Sequence, residues 1–163
     1  MKTFEELKEE LLNRAKNAGA CTHGYKMGLE SKNKADLLKA ITANWFWVLR
    51  TAKIVDASFL EENFTEEELS EAGIYTKGYH KVSTASFACD SATVKAYDSA
   101  TVEAYDSATV KAYDSATVEA CGNSYVEDCT GNIRPQSDYA IVKDYYKHKI
   151  YIKKGKFEII EVD

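Results

Sequence analysis

Ser91-Ala-Thr-Val-Lys-Ala-Tyr-Asp98 is followed without interruption by SATVEAYD (99–106), SATVKAYD (107–114) and SATVEACG (115–122). A short, near-identical period means that each unit buries its apolar atoms against its own copies. The segment is therefore a stack and not an ordinary core. Within an octet, Ala92, Val94 and Ala96 alternate with Thr93, Lys95 and Tyr97, and a strand sends alternate side chains to opposite faces. Lys95 has to face water, so the Ala-Val-Ala side is the inside. Such small inward residues imply a thin interior with closely spaced walls. Asp98-Ser99 fits a tight corner, because both side chains can bond nearby backbone N–H groups. Asp90, Asp106 and Asp114 repeat the placement. Ser83–Asp90 reads as a degenerate first octet and Asn123–Thr130 as a degenerate last one.

Two architectures satisfy this pattern. One is a β-solenoid, with two octets per flattened coil or three per triangular coil. The other is an antiparallel meander, in which Tyr97-Asp98-Ser99 is a hairpin and Val94 pairs with Val102. The solenoid is favoured, because a meander would leave a broad thin sheet uncovered. Lys95, Glu103, Lys111 and Glu119 alternate in sign, which bears on coil size. In a two-octet coil Lys95 stacks on Lys111 and Glu103 on Glu119, and like charges at strand spacing repel. A three-octet coil stacks Lys95 on Glu119, but Ala-Val-Ala is too small to fill a triangle. The side-chain volumes favour the flattened coil.

Working outward, residues 1–77 read as four or five short helices. Thr3-Phe4-Glu5-Glu6 and Thr65-Glu66-Glu67-Glu68 are capping boxes. Phe4, Leu7, Leu11 and Ala15 recur at helical spacing, with a stop at Asn17–Gly19. Cys21–Leu29 and Ala35–Ile41 continue the pattern. Asn44 is placed to cap Trp45-Phe46-Trp47-Val48-Leu49-Arg50, the densest apolar stretch and the expected centre of the domain. On the other side, Ile150-Tyr151-Ile152 and Phe157–Ile160 flank Lys153-Lys154-Gly155-Lys156, a hairpin signature. Terminal coils expose unpaired edges, and this hairpin would cover one end. The chain is thus expected to be α+β, with a helical domain (1–77), an octapeptide-repeat β-solenoid (78–138) and a C-terminal hairpin cap (139–163).

Net charge is −5 over 163 residues. The first 77 residues hold 11 basic and 13 acidic groups, residues 78–138 hold 4 and 9, and the tail holds 6 and 4. An acidic repeat argues against direct nucleic-acid binding, which rests on neutralising phosphates. No apolar run reaches the ~20 residues of a membrane span, and the start of the chain lacks a signal peptide's pattern. A cytoplasmic protein with free thiols is expected. Cys21, Cys89, Cys121 and Cys129 lack the tight pairs of a zinc site, and no catalytic motif stands out. Neither metal, cofactor nor enzyme activity is expected. Tyr97, Tyr105 and Tyr113 share one octet position with Cys121 and Cys129, and tyrosine ladders suit protein interfaces.

The octet run resembles the SATV-type repeats of bacterial and prophage proteins. Ala18-Gly19-Ala20-Cys21 through Trp45-Phe46-Trp47-Val48-Leu49 is similar to a small helical module of immunity proteins, with a Gly-Ala-Cys turn before a Trp-rich helix. The resemblance implies a mobile-element setting and brings no catalytic residues with it. The resulting expectation is a non-enzymatic binder that inhibits a host defence nuclease in the manner of an anti-CRISPR. Its acidic ladder (Asp98, Glu103, Asp106, Asp114, Glu119, Glu127, Asp128), beside Tyr97, Tyr105 and Tyr113, would mimic nucleic acid. The alternative is an immunity or assembly protein that binds one partner through the helical domain, the solenoid being a spacer. Pairing of two copies through their solenoid faces is a further expectation.

Overall fold

The capping boxes start helices where the sequence places them. In the computed structural model, which describes residues 1–135, 138–160 and 162, Thr3 Oγ1 accepts from the Glu6 N–H (3.3 Å) while Glu6 Oε2 accepts from the Thr3 N–H (2.9 Å). Helix α1 then runs Phe4–Asn17. Thr65 and Glu68 repeat the exchange (3.1 and 2.8 Å) at the head of α5, Glu66–Glu71. Between them lie α2 (Thr22–Glu30), α3 (Lys34–Thr42) and α4 (Ala57–Asn63). Residues 1–74 and 75–163 form two compact units.

In the first unit Leu7, Leu38, Trp45, Leu60 and Phe64 are almost fully buried, so the Trp-rich stretch does lie in the core. It differs from expectation in form. Asn44 caps nothing ahead of it; its Nδ2 instead donates back to the Ala40 carbonyl (2.9 Å). The chain then widens into a π-helical turn, Trp47–Thr51, with the Ala52 N–H reaching the Trp47 carbonyl (2.8 Å).

The second unit is a flattened β-solenoid. Its strands are β1 (Ile74–Tyr75), β2 (Tyr79–Val82), β3 (Ser86–Ala88), β4 (Thr93–Ala96), β5 (Thr101–Ala104), β6 (Thr109–Ala112), β7 (Thr117–Ala120), β8 (Tyr125–Asp128), β9 (Ile141–Asp144) and β10 (Lys149–Tyr151). They sort into two sheets, one ordered β1-β3-β5-β7 and the other β10-β9-β8-β6-β4-β2. β4 pairs with β6 in parallel, Val94 opposite Val110, and β5 with β7, Val102 opposite Val118. Parallel pairing overturns the meander, and a 16-residue step overturns the triangular coil. Ala and Val fill the interior: Val94, Val102, Val110 and Val126 are fully buried, as are Ala92, Ala96, Ala100 and Ala104. A wall of such small residues can close only against a facing wall a few ångströms away, which a two-sided coil provides.

Each coil turns at an aspartate. Asp90, Asp98, Asp106 and Asp114 hold φ of 51–54°, a left-handed conformation that Asp tolerates better than most side chains. The turn closes through Ala100 N–H to Tyr97 carbonyl (3.1 Å), and likewise Ala108 to Tyr105 and Ala116 to Tyr113. The Asp114 carboxylate accepts from the Asp98 N–H of the preceding coil (3.2 Å), so the corner side chain also ties one coil to the next.

The C-terminal hairpin is present but lies earlier than the sequence suggested. β10 pairs antiparallel with β9, Ile150 opposite Lys143, and the turn is Tyr145–His148. Ile159 and Ile160 are three-quarters exposed and form no strand. The physical reason is that Ala140-Ile-Val-Lys-Asp-Tyr145 is itself an octet core. It docks on β8 in parallel with Val142 opposite Val126, and so takes β9 into the coil before the chain reverses.

Candidate functional site

The 16-residue coil decides what each sheet shows to water. Odd and even octets fall on opposite sheets, so the alternation of lysine and glutamate becomes a segregation of charge. On the β3-β5-β7 sheet the outward residues are Phe87, Thr101, Glu103, Thr117 and Glu119. None is basic. Thr117 Oγ1 donates to Thr101 Oγ1 (3.2 Å), and Glu119 stacks directly on Glu103. Asp98 and Asp114 stand at the corner where the chain enters this sheet, and Asp106 at the corner where it leaves.

Stacking two carboxylates one strand spacing apart, about 4.8 Å, has a cost. Burial, reinforced by the Glu119 charge, pushes the Glu103 carboxyl up from 4.5 to about 7. Near neutral pH this acidic file is therefore only partly charged.

The opposite sheet carries Lys81, Lys95, Lys111 and Lys143 in one outward file, interrupted by Glu127. The lysines escape their mutual repulsion through different partners. Lys111 pairs with Glu127 (2.6 Å), Lys95 lies over the Tyr79 ring (5.4 Å) and Lys143 over Tyr145 (4.5 Å). A hydrogen bond to Glu127 holds the Lys111 ammonium above its ordinary range, and one to Tyr79 does the same for Lys95.

The sequence-derived ladder is thus divided by the fold. Asp98, Glu103, Asp106, Asp114 and Glu119 belong to the acidic sheet and its two corners. Glu127 does not: it sits on the lysine sheet as a counter-ion. Asp128 is not on a surface at all. It is fully buried, its Oδ1 accepting from the Thr130 N–H (2.7 Å), the Thr130 hydroxyl (2.7 Å) and the Gly131 N–H (3.0 Å) and its Oδ2 from the Ile133 N–H (2.9 Å). It pins the loop that follows β8. Its octet position, that of the inward Ala96, is the signal that marks it as structural.

The tyrosines divide in the same way. Tyr97 and Tyr113 stack in parallel at one edge of the lysine sheet, centroids 5.2 Å apart and planes within 10°. Tyr105 lies across the coil, in register with Cys89 and Cys121, both buried. A single ladder of three does not form. The Lys95–Lys111 stack is the one the two-octet coil requires; its extension to Lys81 and Lys143 was not foreseen, and its signal lay in the octet core around Lys143.

All four cysteines are free thiols. Among the described residues, no three His, Cys, Asp or Glu side chains gather where they could hold a metal ion, and no helix is long and apolar enough to cross a membrane. Compared with family models, curated proteins and solved structures, the chain matches none.

Proposed function

We propose that this chain is a non-enzymatic protein-binding module whose acidic sheet, β3-β5-β7, docks on a basic surface of a partner. The leading partner is a host nuclease complex whose nucleic-acid channel the sheet would occupy, in a phage or mobile-element setting. The observation that carries the reading is the charge segregation. Glu103 and Glu119 form one file, Asp98, Asp114 and Asp106 flank it, and lysines are confined to the other sheet. A stiff, regularly spaced acidic surface suits a channel built to bind phosphates, because complementary potentials set both encounter rate and orientation. Glu127 and Asp128 play no part in this surface.

The test is capture of the partner from host lysate by the intact protein, followed by elution with duplex DNA. Two variants accompany it. One neutralises the acidic sheet (Asp98→Asn, Glu103→Gln, Asp106→Asn, Asp114→Asn, Glu119→Gln), with Asn retained at corners that need positive φ. The other neutralises Lys81, Lys95 and Lys143 on the opposite sheet. Mimicry requires that DNA displaces the partner and that only the first variant loses it. Undiminished capture by the first variant, or indifference to DNA, sinks the proposal.

A further inference from the structure

Charge placed the proposed partner surface on the solenoid; volume points to a different site in the helical unit. α1, α2, α3 and the π-helical turn line a cleft, open to solvent on one side, with a cavity volume of about 190 Å³. Leu11, Leu37, Ile41 and Val48 give it a buried apolar lining, and Tyr25 and Trp47 line it too.

Three features distinguish this space from a packing defect. First, α2 faces it with glycine at successive turns, Gly24 and Gly28. Glycine inside a helix weakens it, and alanine at either place would press into the cavity wall. A Cβ on Gly24 would lie 3.1 Å from Asn44 Oδ1, and one on Gly28 3.3 Å from Leu12 Cδ2. Second, Trp47 reaches the cavity from the first residue of the π-helical turn, a backbone irregularity that recurs at functional sites. Third, the wall carries one oriented acceptor. Asn44 Nδ2 is committed to the Ala40 carbonyl, which leaves Oδ1 on the Gly24 side of the cavity. Cys21 offers no competing group, since its Sγ accepts the Gly24 N–H (3.4 Å) and caps α2.

A dry apolar cavity of roughly 150 Å³ accommodates a benzene ring. The space here allows one ring and one small substituent, and the Asn44 oxygen asks that substituent to donate. We propose that the cavity binds a single-ring aromatic carrying one hydrogen-bond donor, of the phenol class. The rings of Tyr25 and Trp47 flank the ligand, and Asn44 Oδ1 fixes which end points to the wall.

The experiment titrates the full-length protein with phenol and, separately, with toluene. It follows the Trp47 indole and the Gly24 and Gly28 amides by heteronuclear NMR. Phenol should give saturable shifts centred on those groups and bind severalfold more tightly than toluene, as one hydrogen bond to the half-buried Asn44 Oδ1 implies. Gly28→Leu should weaken phenol binding by at least about tenfold by filling the space from α2. Ala40→Met, which narrows it from α3, serves the same end should the first variant unfold. The proposal is overturned by the absence of saturable shifts at millimolar phenol, by shifts centred elsewhere, by toluene binding as tightly as phenol, or by native affinity in a folded, cavity-filled variant.

Discussion

Replacing Glu103 by Gln should stabilise the solenoid at alkaline pH and leave it unchanged in acid. Glu103 gives up its proton near pH 4.5 when unfolded and near pH 7 when buried beside Glu119. Between those values the folded state holds the extra proton. Stability contributed by the neutral carboxyl is therefore complete below about pH 4.5, falls as pH rises through that window, and is gone above about 7. At about 1.4 kcal/mol per pH unit the interval sets a ceiling of about 3.5 kcal/mol. The carboxylate keeps partial contact with water, and screening reduces this to about 1–2 kcal/mol. Gln retains the shape and never ionises. Urea unfolding of both proteins, followed by the near-ultraviolet dichroism of the tyrosines, should show the variant more stable by that amount at pH 8 and equal at pH 4.5. Glu119→Gln should produce a smaller gain in the same direction, because the Glu119 charge is the lesser of the two causes. A difference that is the same at both pH values, or a variant less stable at pH 8, would refute the stacked-carboxylate reasoning.

Other consequences can be measured on single variants. Asp128→Ala strands the donors of Thr130, Gly131 and Ile133, and should cost about 3 kcal/mol or more in the same unfolding assay. Gly122→Asp restores the octet consensus yet should destabilise by about 2 kcal/mol or more. Gly122 holds a φ of +65°, and a Cβ there would meet the Asp106 nitrogen at 2.8 Å. A double-mutant cycle across Lys111 and Glu127, whose side chains are 32% and 22% exposed, should return a coupling of about 0.5–1 kcal/mol; zero would mean that the pair only decorates the sheet. Burial, and then the charges of Asp128 and Glu127, raise the Cys129 thiol above its ordinary range. Iodoacetamide should therefore label it more slowly at pH 8 than a small-molecule thiol, as read by mass spectrometry, and an equal rate would contradict that environment.

Much of the fold was legible because the octet states its own inside. Ala-Val-Ala could be nothing but a thin core, and both capping boxes named their helix starts to the residue. Coil size was harder, since side-chain volume and charge alternation pointed in opposite directions. Volume prevailed: a void in an Ala-lined triangle loses packing along every strand, whereas stacked lysines can turn to Glu127 or an aromatic ring. β9 was read as β within the tail but not as a further octet, because Asp144 stands where the pattern has Ala, and a buried carboxylate hides the match. Lys147 N–H donates to its Oδ1 (2.8 Å), an arrangement visible only once the turn after β9 is formed. Asn44 was misread for a similar reason. Its capping chemistry is real, but it bonds backward to Ala40, and nothing local in the sequence fixes that direction. The candidate surface was half legible: the stacking of Glu103 on Glu119 followed from the two-octet coil, while the places of Glu127 on the lysine sheet and of Asp128 in the interior were missed.

Near-identical neighbouring repeats invite gain or loss of a unit by slippage during copying, and the 16-residue coil makes the outcome depend on parity. Losing one octet, Ser99–Asp106 for instance, moves every later strand half a coil onward. Lys111 would then land on the sheet that now shows glutamate, Glu119 would stack on Lys95, and β8 and β9 would both move to the other sheet. Losing or gaining two octets leaves every side chain on its own sheet and changes only the length, by one strand spacing of about 4.8 Å. The repeat can therefore lengthen or shorten in whole coils while keeping its two electrostatic faces, and descendants of this sequence that work by charge should differ by multiples of sixteen residues.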